Sequence, residues 1–179
     1  MRPRLAVLLL AALALAAAGG AKRQLALPAV GGQAIPYVVA VPADWDLREV
    51  PGATGLWIGP AGARPEAQPE LLHVLPSPEP LGDPQRAVAA IRAADAAAPA
   101  WSAPVVAVRK VAGVRGVLLR METGEGETAR TTLALKLPAG EGSVDLLLSA
   151  RRADFARLEP LFTSILSSVR RAPPARRGR

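Results

Sequence analysis

The clearest pattern along the chain is a strand followed by an amphipathic helix near the C-terminal end. In residues 143–150 apolar and polar side chains alternate, which is typical of a half-buried strand. From 154 to 169 apolar residues recur every three or four positions, which predicts a helix with one buried face. Phe155 and Phe162 should therefore point into the core. Pro160 predicts either a kink or a helix that begins there after a short turn.

The other elements follow from the same two periods and from the prolines and glycines between them. Strands joined by short, glycine-containing turns pair antiparallel. The order of three strands, a helix, four strands and a helix predicts an α+β fold, in which a twisted antiparallel sheet is flanked by helices. The remaining strands are predicted at 35–41, 56–58, 70–76, 104–111, 114–121 and 129–137, and the first helix at 83–98, with Asp83 as N-cap and Pro84 as its first residue.

The N-terminal segment has the pattern of a secretory signal. Arg2 and Arg4 precede an apolar run at 5–18, and cleavage after Ala18 or after Ala21 fits equally well. The run is shorter than the roughly 20 apolar residues of a spanning helix. We therefore expect an exported protein, periplasmic or extracellular after cleavage. The expected divisions are a signal peptide at 1–21, a loose arm at 22–34, a single α+β domain at 35–169 and a disordered arginine-rich tail at 170–179.

The net charge of +7 lies at the two ends of the chain. Between 22 and 169, fifteen basic residues balance fifteen acidic ones, so the expected domain presents no net positive field for nucleic acid. The sequence contains no cysteine, which excludes disulfides, zinc–thiolate sites, thiol catalysis and attachment of a lipid to a cysteine.

The residues suited to catalysis or metal binding are sparse. His73 is the only histidine and lies between apolar neighbours of a predicted strand, which favours a structural role. The residue types of a catalytic triad are present in His73, Asp145 and several serines, so a triad remains an alternative. The G-x-S-x-G motif around a nucleophilic serine is absent. Glu122, Glu125 and Glu127 are interpreted as a solvated hairpin tip, because the ligand spacing of a calcium loop is missing. We predict no catalytic residue, cofactor or metal site.

Contacts with a ligand or a surface are expected from tryptophan and arginine side chains. Tryptophans pack in the core by default, but Trp101 lies between two prolines in an irregular link where partial exposure is expected. Arginines of the tail either touch an anionic membrane surface or form a solvated end. The candidate contact residues are Trp101, Trp45, Arg170, Arg171, Arg176 and Arg177.

Three stretches resemble the PsbP/Mog1/DcrB-like group of small domains, which includes exported lipoproteins of the LpqN type. They are a strand that runs into a tryptophan turn (IPYVVAVPADWD, 35–46), the glycine pair Gly113 and Gly116, and the closing DFARLEPLFTSILSSV. The resemblance implies an α/β/α sandwich with a central antiparallel sheet. It implies no particular activity, because such domains serve as assembly factors and as binding modules. The chain lacks the lipidated cysteine of the lipoprotein members.

These observations predict a non-enzymatic, exported binding or assembly-accessory protein of the bacterial cell envelope. Its expected partner is an envelope protein or a small ligand, without nucleic acid, and we expect a monomer. The alternative is a small hydrolase-like envelope enzyme. A deep pocket with converging polar groups would favour the enzyme, and a shallow apolar or charged patch would favour the binding protein.

The signal peptide can be tested on the exported protein. We expect its N-terminal residue to be Gly19 or Lys22, the residues that follow the two cleavage positions. N-terminal sequencing of protein recovered outside the cytosol measures this. Met1 retained in a membrane fraction would contradict the prediction.

Overall fold

The computed structural model describes residues 21–49, 55–63, 72–97 and 102–173, which form a single, mostly β domain. No helix in these ranges is long and apolar enough to span a bilayer. The strands are β1 (Lys22–Ala26), β2 (Tyr37–Pro42), β3 (Trp45–Glu49), β4 (Leu56–Pro60), β5 (Leu72–Ser77), β6 (Ser102–Val111), β7 (Val114–Thr123), β8 (Arg130–Ala139), β9 (Gly142–Arg151) and β10 (Arg170–Arg171); the helices are α1 (Pro84–Ala97) and α2 (Arg152–Ser167).

Seven strands form one antiparallel sheet in the order β3-β4-β5-β9-β8-β7-β6. Two-residue turns join its longest strands. The β6–β7 turn has positive φ at Ala112 (55°) and Gly113 (78°), as a type I′ turn requires, and the β8–β9 turn has Gly140 at 61°. Turns of this kind match the right-handed twist of the flanking strands. The strands of the two hairpins, β6–β7 and β8–β9, therefore pair over most of their length, and β6 lies at the edge of the sheet.

Helix α2 packs on β8 and β9 and also contacts β2. Phe155 and Phe162 are buried, with their rings edge to face at 6.1 Å, which confirms the predicted direction of both side chains. The helix runs without a break from Arg152 through Pro160, so the alternative of a helix that begins at Pro160 is wrong. Packing of the apolar residues on both sides of Pro160 offsets the backbone hydrogen bond that proline cannot donate. Asp154 lies in the first turn of the helix and pairs with Arg157.

Helix α1 packs on β6 and β7 from the opposite face of the sheet. Its Val88 contacts a cluster with Val106 and Val117. The Asp83 carboxylate accepts a hydrogen bond from the Gln85 N–H (2.9 Å), which confirms the predicted N-cap. The two helices thus cover different halves of the sheet on different faces. The predicted α+β class is correct, whereas the predicted sandwich of a sheet flanked by helices is only partly realised.

The predicted loose arm and the start of the predicted disordered tail are instead strands of a small second sheet. β1 pairs antiparallel with β2 over five positions, and β10 pairs with the other edge of β2. These neighbours satisfy backbone groups of β2 that would otherwise lack partners. Arg23 and Asp46 add an ion pair of 2.7 Å between β1 and β3. The arm prediction is therefore wrong for 22–26 and the tail prediction for 170–171, while 174–179 lie outside the described residues.

Tyr37 ties the small sheet to the large one. Its side chain is fully buried, and its hydroxyl donates a hydrogen bond of 2.6 Å to the carbonyl oxygen of Pro138. Burial raises the pKa of the Tyr37 hydroxyl, and the nearby positive charge of Arg171 opposes this rise. The folded state therefore favours the neutral phenol.

The titration of Tyr37 tests this contact, because the protein has one tyrosine. We expect the native phenol to ionise above its usual pKa of about 10. Because the pKa is raised on folding, the stability that Tyr37 contributes is complete below pH 10 and is lost as pH rises through the higher, folded pKa. Tyrosinate absorbance against pH measures this, with protein unfolded in guanidinium as control. Equal pKa values in the two states would contradict the assignment.

Candidate functional site

A groove of about 540 Å³ lies between α2 and the half of the sheet that α2 does not cover. Its floor comes from the face of β6, β7 and β8 that is opposite α1, and its wall comes from the C-terminal half of α2. We call this the binding groove. The floor residues used below are Val105, Ala107, Leu118, Leu133 and Leu135, and the wall residues are Glu159, Thr163, Leu166 and Ser167.

The groove is open because α2 is displaced toward β9 and β2. The helix axis lies over β8 and β9, so within the described ranges no helix or strand packs over the apolar side chains of β6 and β7 on this face. Val105 is 65% exposed and is the one large hydrophobic residue classed as exposed in the described part of the chain. Its exposure marks the outer edge of the uncovered floor.

Charged side chains stand at the ends of the groove. The Arg120 guanidinium pairs with the Glu159 carboxylate at 3.1 Å and lies 5.0 Å from the centre of the Phe155 ring. Arg109 and Lys110 line the groove farther along β6, toward the turn, and both are exposed. The lining therefore carries three cations and one carboxylate, and that carboxylate is already paired. The groove can accept an apolar chain with an anionic group.

Three of the six candidate contact residues lie in the described ranges, and they have different surroundings. Trp45 is 1% exposed in the main core, so the prediction of a surface or ligand contact there is wrong. It is buried because β3 pairs with β4 and turns this side chain toward the face that α2 covers. Arg170 and Arg171 are exposed in β10. Trp101, Arg176 and Arg177 lie outside the described residues.

The other predicted sites stay separate from the groove. His73 is half-buried, with Trp57 and Leu147 as its cross-strand partners, on the face opposite α2. Glu125 and Glu127 lie exposed in and beside a 3-10 turn, Gly126–Thr128, at the other end of the β7–β8 hairpin. Among the residues described, no group of three or more histidine or acidic side chains is placed to hold a metal ion.

The groove residues were missed by the sequence analysis, although the sequence carries two signals of them. Residues 105–108 (VVAV) are apolar on both faces of an edge strand, which indicates that each face is in contact with apolar groups. Residues 104–121 contain four basic residues and no acidic one. Which face stays uncovered depends on the position of α2, and no local pattern encodes that position.

The architecture places the chain in the class of PsbP-like folds. PsbP of the cyanobacterium Synechocystis sp. PCC 6803 aligns with a TM-score of 0.51 at 18% identity, covering 76% of this chain and 86% of that one. LpqN of Mycobacterium tuberculosis, described as involved in cell envelope biogenesis, aligns with a TM-score of 0.54 at 13% identity, covering 85% and 92%. These likenesses confirm the resemblance at the level of the fold. No family model and no curated protein matches the sequence.

The two contacts of Arg120 lead to a stability prediction. Arg120→Met removes both the ion pair and the cation–π contact, whereas Glu159→Gln removes only the ion pair. We expect about 1 kcal/mol of destabilisation for Arg120→Met and about 0.3 kcal/mol for Glu159→Gln, because exposed ion pairs contribute little. Urea unfolding measures both. Equal costs would show that the ring contact contributes nothing.

Proposed function

We propose that this protein is a binding module of the cell envelope that holds an amphipathic, anionic ligand in the binding groove. The observation that carries the proposal is the uncovered apolar floor beside α2, with Val105 65% exposed at its edge. A ligand with an apolar chain would cover this floor. The groove volume of about 540 Å³ falls in the usual range for small-molecule sites, about 300–1,000 Å³.

A comparison of the two faces of the sheet supports this proposal. On the face opposite α2, the polar pairs Lys136–Asp145 (3.2 Å) and Thr132–Ser149 (3.1 Å) stand on either side of the apolar pair Ala134 and Leu147. That part of the face is therefore mixed in polarity. The uncovered half beside α2 instead presents valine, alanine and leucine. Exposed apolar area of this kind costs free energy in water and is typical of a binding surface.

The charges in the groove support an anionic ligand. Arg109 and Lys110 form no ion pair with a residue in the described ranges, whereas Glu159 is held by Arg120. A carboxylate or phosphate at the turn end would pair with Arg109 and Lys110 while its apolar chain follows the floor toward Val105. The ligand class is thus an acyl-chain anion, such as a fatty acid or an anionic lipid.

The expected signal peptide supports a place outside the cytosol. LpqN, which shares the fold, is described as involved in cell envelope biogenesis. A groove for lipid-like anions suits an envelope protein, because such molecules are abundant there and are insoluble in free form. We therefore assign the protein to the exported binding and accessory proteins of the envelope.

The groove is tested with cis-parinarate, a fluorescent straight-chain fatty acid. We expect the wild-type protein to bind it with enhanced emission, and Ala107→Trp to weaken binding about tenfold or more, because the indole fills the floor. Fluorescence titration measures both affinities, and thermal unfolding checks that the variant is folded.

Ala93→Trp is the matched control, since Ala93 is exposed on α1 on the other side of the sheet. It should leave the affinity unchanged. Val105→Asp is a second variant, at the exposed edge of the floor, where the protein does not have to accommodate an indole. It should also weaken binding, because it places a carboxylate on the apolar floor. Undiminished affinity in both groove variants, or equal losses in Ala93→Trp, would contradict the proposal.

A further inference from the structure

We propose that the end of the groove beside the β6–β7 turn docks on an anionic lipid surface. The docking surface consists of residues 109–116 (RKVAGVRG), in which Arg109, Lys110 and Arg115 surround an apolar tip. The proposal goes beyond the proposed function, because it names the surface on which the protein sits and holds whether or not the groove carries a ligand.

The charges of this turn have no opposite charge paired with them in the described part of the chain. Arg109, Lys110 and Arg115 are exposed, and none forms an ion pair or a side-chain hydrogen bond with another residue in the described ranges. Lys110 and Arg115 are also directly opposite each other across the β6–β7 pair. Like charges in that position destabilise a sheet. An external anionic partner would convert this repulsion into attraction.

The tip of the turn is apolar where polar residues are usual. Its central residues are Ala112 and Gly113, and Ala112 takes a left-handed conformation (φ 55°) that glycine or asparagine would adopt more easily. Val111 and Val114 flank it and are only partly buried. An apolar tip between basic residues matches the boundary between lipid headgroups and acyl chains. Nucleic acid would need the charges but not the tip.

The end of α2 extends the positive surface on the other side of the groove. Leu166 and Ser167 line the groove together with Ala112, so the helix C-terminus and the turn meet at the same end. Arg170 and Arg171 follow the helix and are exposed. Glu141, in the adjacent β8–β9 turn, and Glu79, whose carbonyl oxygen accepts a hydrogen bond from Ser143 in β9, are exposed acidic residues that limit the surface at this end of the sheet. The groove therefore opens between two basic edges, from which a lipid could enter it.

Vesicle sedimentation with the full mature chain tests the proposal. Vesicles of phosphatidylcholine alone are compared with vesicles that also contain phosphatidylglycerol. We expect binding to the anionic vesicles only, weakening as salt increases. The double variant Lys110→Gln/Arg115→Gln should bind about thirty-fold more weakly, since each basic residue near an anionic surface contributes roughly a factor of five.

Two further variants separate the position of the charges from their number. Arg115→Gln should weaken binding about fivefold, whereas Arg152→Gln, which removes an equal charge at the opposite end of the sheet, should not. Ala112→Asn should weaken binding without loss of stability, because asparagine suits the left-handed position but makes the tip polar.

The outcomes distinguish this proposal from the groove itself. Ala107→Trp should still bind anionic vesicles while losing cis-parinarate, so either property can fail alone. Equal vesicle binding by the wild type and the double variant would overturn the proposal. Any measured affinity for vesicles would then come from basic residues elsewhere in the chain. Equal binding to neutral vesicles, or tighter binding to duplex DNA than to anionic vesicles, would overturn it as well.

Discussion

The packing of α2 against β8 and β9 is the contact on which the rest of the structure depends. Phe155, Phe162 and Ile165 are almost fully removed from water, and each such side chain contributes about 1.5–3 kcal/mol through burial. The same helix contacts β2, which holds the small sheet beside the large one. Because α2 serves both sheets, it lies away from β6 and β7. The binding groove is the consequence of that displacement.

The opposite placement of α1 makes the groove one-sided. By covering the other face of β6 and β7, α1 keeps this hairpin folded although one of its faces is open. Strands with one covered and one uncovered apolar face are suited to binding, since the fold is stable without the ligand. The same hairpin ends in the basic turn, so the apolar floor and the basic residues of the turn belong to one element. We infer that the same β6–β7 hairpin binds both the ligand and the lipid surface.

Elements with their own periodicity can be predicted from the sequence, whereas elements whose conformation depends on a pairing partner cannot. The closing strand and helix, together with α1 and its Asp83 cap, follow from local pattern, and the structure confirms them. β1 (KRQLA) and β10 are short and polar, and they become strands only because β2 offers two edges. Trp45 illustrates the same limit, since its burial depends on the β3–β4 pairing. The groove could not be predicted, because it arises from where α2 sits.

The central claim is that one half of this sheet face is open and the other is closed by α2. Because the protein has no cysteine, single Ala→Cys variants report each half separately. Ala107 lies in the groove floor and Ala150 is fully buried under α2. In native protein, we predict that the thiol of Ala107→Cys reacts with a maleimide rapidly, whereas that of Ala150→Cys reacts only as the protein unfolds. Equal reaction rates of the two thiols in the native protein, whether both slow or both fast, would contradict the account.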